Sequence, residues 1–400
     1  MWEQIRVNKR NSILLMGIMG VVLAALGFAL GMAFGGSPDT GWMGIFIAVC
    51  IWLVLLMLSL FGGDRILLAS SRATPVTSDV HPQLFNVVEE MTIAANLPKM
   101  PKIYIINDQA PNAFATGRNP ENASVAVTAG LLGRLNRDEL QGVIAHEVSH
   151  IVHRDILFVT MAGVMLGAIV LISEVFFRSM FYGAMGRRRY SSRSQEQGGA
   201  QALMMVLAVV CAILAPLFAQ ILYFALSRKR EYLADAGAVR LTRYPEGLAG
   251  ALEKIGSSTV NMESANKVTA PMYIANPFRG KHAMHLFSTH PPIEERIRVL
   301  RNMSHGASFN DYNSAYEQVT HHNGVVPKSA IKPEETVDLR KAADSSKAQT
   351  RQSQRQIGDI MRKVNGFTFI PCACGIQLKL PPDYSARTVQ CPRCGKSHLV

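Results

Sequence analysis

Two histidines four residues apart, with a glutamate beside the first, make His146-Glu147-Val148-Ser149-His150 the stretch of this chain that most directly dictates a chemistry. Leu140, Val143, Ile144, Val148, Ile151 and Val152 recur around it at helical spacing, and Asn136 followed by Glu139 predicts a capping box at the helix start. On a helix, side chains four apart share one face, so His146 and His150 can hold one metal ion with Glu147 at its flank. That set suits zinc-assisted hydrolysis of a carbonyl compound, in which the metal polarises the carbonyl and acidifies water while the carboxylate moves the proton. The same five residues also fit a partly exposed helix face, so a third ligand decides. His153 lies about 10 Å along the axis from His146, too far to share the ion, and reads as a helix-surface residue. Glu231 and Asp235 are one turn apart in Ser227–Asp235, so one carboxylate can bind metal while the other orients a ligating histidine. Taken alone, this stretch equally fits a solvated charged face just outside a membrane.

The elements that must position these groups begin in a bilayer. The 400 residues are 48% hydrophobic, above what a soluble enzyme usually shows. Residues 12–36 and 43–63 are apolar runs without charge, each long enough to cross, and read as a transmembrane hairpin. A cleaved signal peptide is the rival for the first, but its apolar stretch is too long and a second follows at once. Arg6, Lys9 and Arg10 precede the pair and Arg65 and Arg72 follow it, which places both flanks, and the catalytic region, in the cytoplasm. Ile156–Phe177 and Ala202–Leu226 form a second apolar pair whose open ends must meet at the metal. Its connecting loop carries Arg178, Arg187, Arg188, Arg189 and Arg193, which conflicts with a full crossing under the charge rule and leaves that point open. Pro216 predicts a kink in the last span. Cys50 and Cys211, within apolar runs, read as buried packing residues.

Between the hairpins, a helix over Phe85–Ala95 and short strands at Lys102–Ile106, Asn112–Thr116 and Ser124–Thr128 predict a small sheet ahead of the metal helix. One of the last two strands is expected at the sheet edge, where an extended substrate backbone can pair with it. Further helices are expected at Gly247–Ile255 and Pro292–Leu300. His282, His285, His321 and His322 lack a carboxylate or cysteine partner and read as surface residues. Residues 306–366 turn polar and read as a flexible tether. Beyond it, Cys372 and Cys374, then Cys391 and Cys394, have the layout of a tetrahedral thiolate zinc site, each pair followed by a glycine that lets the turn fold around sulfur. Two disulfides are the alternative, disfavoured in a reducing cytoplasm. The one-residue spacing of the first pair departs from the usual two.

Pro111-Asn112-Ala113-Phe114-Ala115-Thr116-Gly117, Thr128-Ala129-Gly130-Leu131-Leu132, the His146–His150 stretch, Glu231-Tyr232-Leu233-Ala234-Asp235 and Ser288-Thr289-His290-Pro291-Pro292 occur in the order found in HtpX-like membrane zinc endopeptidases, relatives of the CAAX prenyl proteases. The chain resembles that family over roughly residues 1–303. The resemblance implies catalytic zinc on His146, His150 and Glu231, Glu147 as general base, Asp235 as support behind a ligand, and His290 and Arg296 at the oxyanion. It also implies membrane protein quality control in a bacterial inner membrane.

The expected architecture is an α+β, multi-span helical membrane protein whose mostly helical zincin domain carries a small sheet, plus a β zinc ribbon. Its segments are a hairpin over 1–63, a first catalytic part over 64–154, a second hairpin over 155–226, a second catalytic part over 227–305, the tether over 306–366 and the ribbon over 367–400. The expected partners are protein or peptide substrates, membrane proteins foremost, and anionic membrane lipid, for which the net charge of +12 is suited. No nucleic acid is expected, because residues 372–400 lack interleaved aromatic and basic residues. The oligomeric state is left open. The rival functions are a selective processing protease and a non-enzymatic membrane adaptor working through its ribbon.

Overall fold

The computed structural model describes residues 2–35, 37–186, 198–265, 269–277, 291–303, 306–327, 330–331, 336–341 and 350–399. Two long helices open the chain, α1 (Trp2–Gly35) and α2 (Pro38–Ser70), which contains the expected second apolar run and starts at Pro38 behind the capping hydroxyl of Ser37. Glycines let their backbones touch: a Cβ on Gly27 would come within 2.5 Å of Gly44 O, and one on Gly44 within 2.1 Å of Gly27 O. The outer face of α2 is inverted relative to a soluble helix, with Met43, Phe46, Val54 and Phe61 all exposed, as a lipid-facing surface requires. Cys50 lies on that exposed face and Cys211 is half-buried, so neither is the enclosed packing residue expected.

β1 (Ala73–Pro75) and α3 (Pro82–Ala94) lead into β2 (Lys102–Ile106), β3 (Ala113–Gly117) and β4 (Ala123–Thr128). The sheet order is β1-β2-β4-β3, with β2 and β4 parallel and the outer pairs antiparallel. Thus β3 is an edge strand and β4 an interior one. A short turn of helix, α4 (Ala129–Leu132), then delivers the chain to α5 (Arg137–Val152), the metal helix.

α6 (Asp155–Gly186) and α7 (Gly198–Thr242) form the second hairpin. Leu15, Met19, Leu23, Leu26, Ala29 and Ala33 of α1 pack in one cluster with Phe158, Met165, Ile169 and Phe176 of α6 and Ala208, Ala212 and Ala215 of α7. Phe176 meets Phe34 edge-on at 5.9 Å, so α6 reaches the depth that α1 reaches. α7 continues through Pro216 and carries the same helix out to Asp235. Arg178 ends exposed on α6; Arg187, Arg188, Arg189 and Arg193 lie outside the described residues.

α8 (Pro245–Ser257), α9 (Ile293–Arg301) and α10 (Phe309–Thr320) close the body around α5. α10 corrects the expectation of a tether from residue 306. Phe309, Tyr312, Ala315 and Tyr316 are buried in the main core, with Tyr316 against Tyr232 at 4.8 Å and Arg240 over the Phe309 ring. Arg340 also returns to the body, donating to Asp138 Oδ1 at 2.9 Å. α11 (Thr350–Val364) inserts Ile357 and Ile360 into the same core, and the chain ends in the two hairpins β5 (Thr368–Pro371) with β6 (Gln377–Leu380) and β7 (Thr388–Gln390) with β8 (Ser397–Leu399).

Candidate metal centre

The position of α5 is fixed first. Asn136 Oδ1 accepts from the Glu139 amide and Glu139 accepts from the Asn136 amide, both at 2.8 Å, so the expected capping box is formed. Two glycines then let helices close on it. A Cβ on Gly142 would lie 2.6 Å from Leu248 N of α8, and one on Gly237 would lie 2.6 Å from Ser149 Oγ. The second approach matters most, because Gly237 shares α7 with Glu231 and Asp235.

This brings together what the sequence holds far apart. His146 and His150 place their Nε2 atoms 3.2 Å from each other. Glu231 oxygens lie 3.7 Å from His146 Nε2 and 3.6 Å from His150 Nε2. A tetrahedral zinc with bonds of about 2.0–2.1 Å holds its ligand atoms about 3.3 Å apart, close to this set. The residues present therefore fit such an ion.

Carboxylates aim both rings. His146 Nδ1 is 2.9 Å from Asp235 Oδ1, and His150 Nδ1 is 3.3 Å from Asp155 Oδ2. Donation from Nδ1–H leaves each Nε2 lone pair for a metal. Arg296 grips Asp235 with a two-pronged fork, Nε to Oδ2 at 2.8 Å and Nη2 to Oδ1 at 2.7 Å, and its Nη1 donates to Ile274 O at 3.0 Å. Both residues are fully buried. Burial alone would raise the Asp235 carboxyl, but Arg296 and the His146 hydrogen bond hold it below the usual carboxylate range. Burial opposes a charge on His146, yet its bonds to Asp235 and Glu231 raise the imidazole to about 9. The pocket thus favours positive charge at the point where the ligand atoms converge.

Glu147 is almost wholly buried, and burial raises its carboxyl above the ordinary value while the backbone of Ala115 hydrogen-bonds it. With His150, Glu231, Arg230 and Met272 it lines a cavity of about 20 Å³, room for one water molecule. The edge strand β3, buried along its whole length, passes beside this cavity through Ala115. Its first residue is already taken, since the Ile274 amide donates to Ala113 O at 2.9 Å.

Asp155 was not foreseen. It begins α6 five residues after His150, off the helical spacing, and reaches back only because Arg154 turns the chain in the left-handed region at φ 58°. His153, expected on the surface, is 2% exposed, because α5 is enclosed by α7 behind as well as by the sheet in front. Arg296, expected at the oxyanion, donates to Asp235 and Ile274 and places its Nη1 3.5 Å from Glu231 Oε2, while Arg230 lines the cavity. His290, His282 and His285 fall outside the described residues, while His321 and His322 are exposed as expected.

The four ribbon cysteines converge on a second point. Cys372 and Cys394 sulfurs are 3.4 Å apart and those of Cys374 and Cys391 3.5 Å, with no disulfide among them. Gly375 and Gly395 sit at φ 85° and 72°, which lets their amides fold back to Cys372 O and Cys391 O. The knuckle closes despite the shorter first spacing, and the thiolate set suits a structural zinc ion.

Residues 78–304 match the model of peptidase family M48. The chain is 44% identical over 303 residues to a protease HtpX homolog of Ligilactobacillus salivarius, covering 76% of this chain and 100% of that one. It is 45% identical over 302 residues to a protease HtpX homolog of Dictyoglomus turgidum, covering 76% and 94%. Among solved structures, the crystal structure of S. mikatae Ste24p aligns with a TM-score of 0.39 at 20% identity, covering 75% of this chain and 67% of that chain. The family match stops before α10, the last helices and the ribbon.

Proposed function

The chain belongs to peptidase family M48, and from that premise we propose that it is an integral membrane zinc metalloendopeptidase with its catalytic face in the cytoplasm. The observation that carries the reading is the convergence of His146, His150 and Glu231, with His150, Glu231 and the buried Glu147 carboxylate lining one small cavity. Zinc bound there would polarise the scissile carbonyl and make water acidic enough to attack at neutral pH. Glu147 takes the proton from the attacking water and passes it to the leaving amine; burial raises its pKa, which makes it a better proton acceptor than an exposed carboxylate. Asp235 and Asp155 hold the two imidazoles in the ligating tautomer, and Arg296 holds Asp235. Arg230 is the described cation placed to face charge developing on the substrate carbonyl. An extended substrate pairs with β3 beyond Ala113, where Ile274 ends its own occupation of the edge.

The proximity of the site to the helix bundle supports membrane proteins as substrates, in a quality-control role, and the ribbon as a device that recruits substrate or partner. The test pairs metal-stripped wild type with Glu147→Gln in detergent, each given zinc and followed for self-cleavage and for degradation of an unfolded protein. Zinc-dependent cleavage by wild type alone is the expected result. Cleavage by both, or by neither once both sites carry zinc, removes Glu147 as base or the peptidase assignment itself.

A further inference from the structure

Away from the metal, a cavity rich in positive charge lies where α2 leaves its apolar stretch and meets the sheet. A pocket of about 220 Å³ there is lined by Arg65, Lys99, Lys102 and Arg118, with Asp64 and Glu121 the carboxylates in its wall among the described residues. The four cations are exposed, and among the described residues none of them forms an ion pair. Ser59 of α2 supplies an independent observation. It is 2% exposed, it lies in the pocket wall, and its hydroxyl has no hydrogen-bond partner. A buried hydroxyl without a partner costs free energy that a ligand acceptor can recover.

The surroundings select the ligand. Leu58, Phe61 and Ile66 are exposed on the same part of α2, at 47%, 67% and 42%, so lipid-facing apolar surface runs up to the mouth of the pocket. An amphiphile whose chains lie along α2 and whose head carries a phosphate satisfies the cations, the hydroxyl and the apolar rim together. The geometry points to a site for the headgroup of an anionic phospholipid, held by Lys99, Lys102, Arg118 and Arg65 with Ser59 donating to a phosphate oxygen. The pocket also touches Gly117 and Thr160, and Thr160 bonds Thr116 at 3.0 Å, so an occupied site braces the far end of β3, the strand that holds Glu147 through Ala115.

The test uses full-length Glu147→Gln protein in neutral detergent, so proteolysis plays no part and the outcome is separate from the peptidase reading. Phosphatidylglycerol, phosphatidylcholine and soluble glycerol phosphate are titrated in turn, with retained ligand counted by native mass spectrometry. Phosphatidylglycerol is expected to bind in preference to the other two. Lys99→Gln with Lys102→Gln and Arg118→Gln should weaken it about a hundredfold, at roughly fivefold per cation. Ser59→Ala should weaken it about tenfold or more, as loss of one charge-assisted bond requires. Removing equal charge from the ribbon, by Arg387→Gln, Arg393→Gln and Lys396→Gln, should leave it unchanged. Equal loss from both triple variants would reduce the effect to diffuse attraction and overturn the site. Equal binding of phosphatidylcholine would do the same, and equal binding of glycerol phosphate would assign the pocket to a soluble phosphate instead of a lipid.

Discussion

Replacing Arg296 by methionine separates two roles for that residue, and the structure sets the size of the effect. The side chain is fully buried and makes two charge-assisted bonds to Asp235, at 2.7 and 2.8 Å, plus one to Ile274 O at 3.0 Å. Methionine fills much of the space but leaves the Asp235 carboxylate buried without its counter-charge, at a cost of about 3–5 kcal/mol. Asp235 then takes up a proton more readily and orients His146 less well, which should weaken the catalytic metal roughly 10–100-fold. Adding Asp235→Asn removes the stranded charge, so the double variant should be more stable than the sum of the singles by about 1–3 kcal/mol. Thermal unfolding in the Glu147→Gln background, with metal content read after graded chelation, gives both numbers, and the ribbon metal serves as an internal reference. If Arg296→Met unfolds and holds metal like the parent, while the same change in active enzyme lowers only kcat, then Arg296 acts on charge in the reaction and the positioning account is wrong.

Asp155→Asn should loosen the catalytic metal roughly 10–100-fold while leaving the ribbon loaded, measured by the same chelation series; unchanged retention would remove Asp155 from the support of His150. Gly237→Ala drives a Cβ to 2.6 Å from Ser149 Oγ and should destabilise the fold by about 1–3 kcal/mol, with partial rescue by Ser149→Gly. No rescue would mean that the α5–α7 approach is not what Gly237 secures. Burial pushes His153 down to about 4 from its ordinary 6.5. The unfolded chain therefore binds a proton that the fold refuses, so this contribution is complete above pH 6.5 and drains away as pH falls toward 4, to a total of about 3 kcal/mol. His153→Leu should flatten the acid limb of a melting-temperature profile, and an unaltered limb would assign acid sensitivity elsewhere.

The local parts of this protein were legible because they rest on local rules. Helical spacing placed His146 and His150 on one face, the Asn136–Glu139 pair marked where α5 begins, and uncharged apolar runs located α1 and α2. The ribbon cysteines were equally plain, since a metal knuckle needs only close thiols and a glycine able to adopt positive φ. Composition misled over residues 306–366. Averaged across the segment it is polar, and that average hid Phe309, Tyr312, Ala315 and Tyr316, whose helical spacing is the stripe by which α10 joins the core.

What pairs residues across long separations was settled only by the fold. Spacing offered Glu231 merely as a carboxylate on a charged helix; it meets the histidines because α6 and α7 return through the bundle and Gly237 admits α7 against α5. Asp155 reaches His150 through a left-handed residue that no periodicity announces. Arg296 meets Asp235 and Glu231 from a distant helix, and His153 is enclosed, because burial on the back of a helix depends on what packs there. The sequence by itself determined which groups can bind metal and which segments can lie in a bilayer, since both follow from side-chain chemistry and short-range geometry. Which carboxylate aims which imidazole, and which edge strand of the sheet runs beside Glu147, was decided by tertiary packing, because those contacts join groups that the chain keeps apart.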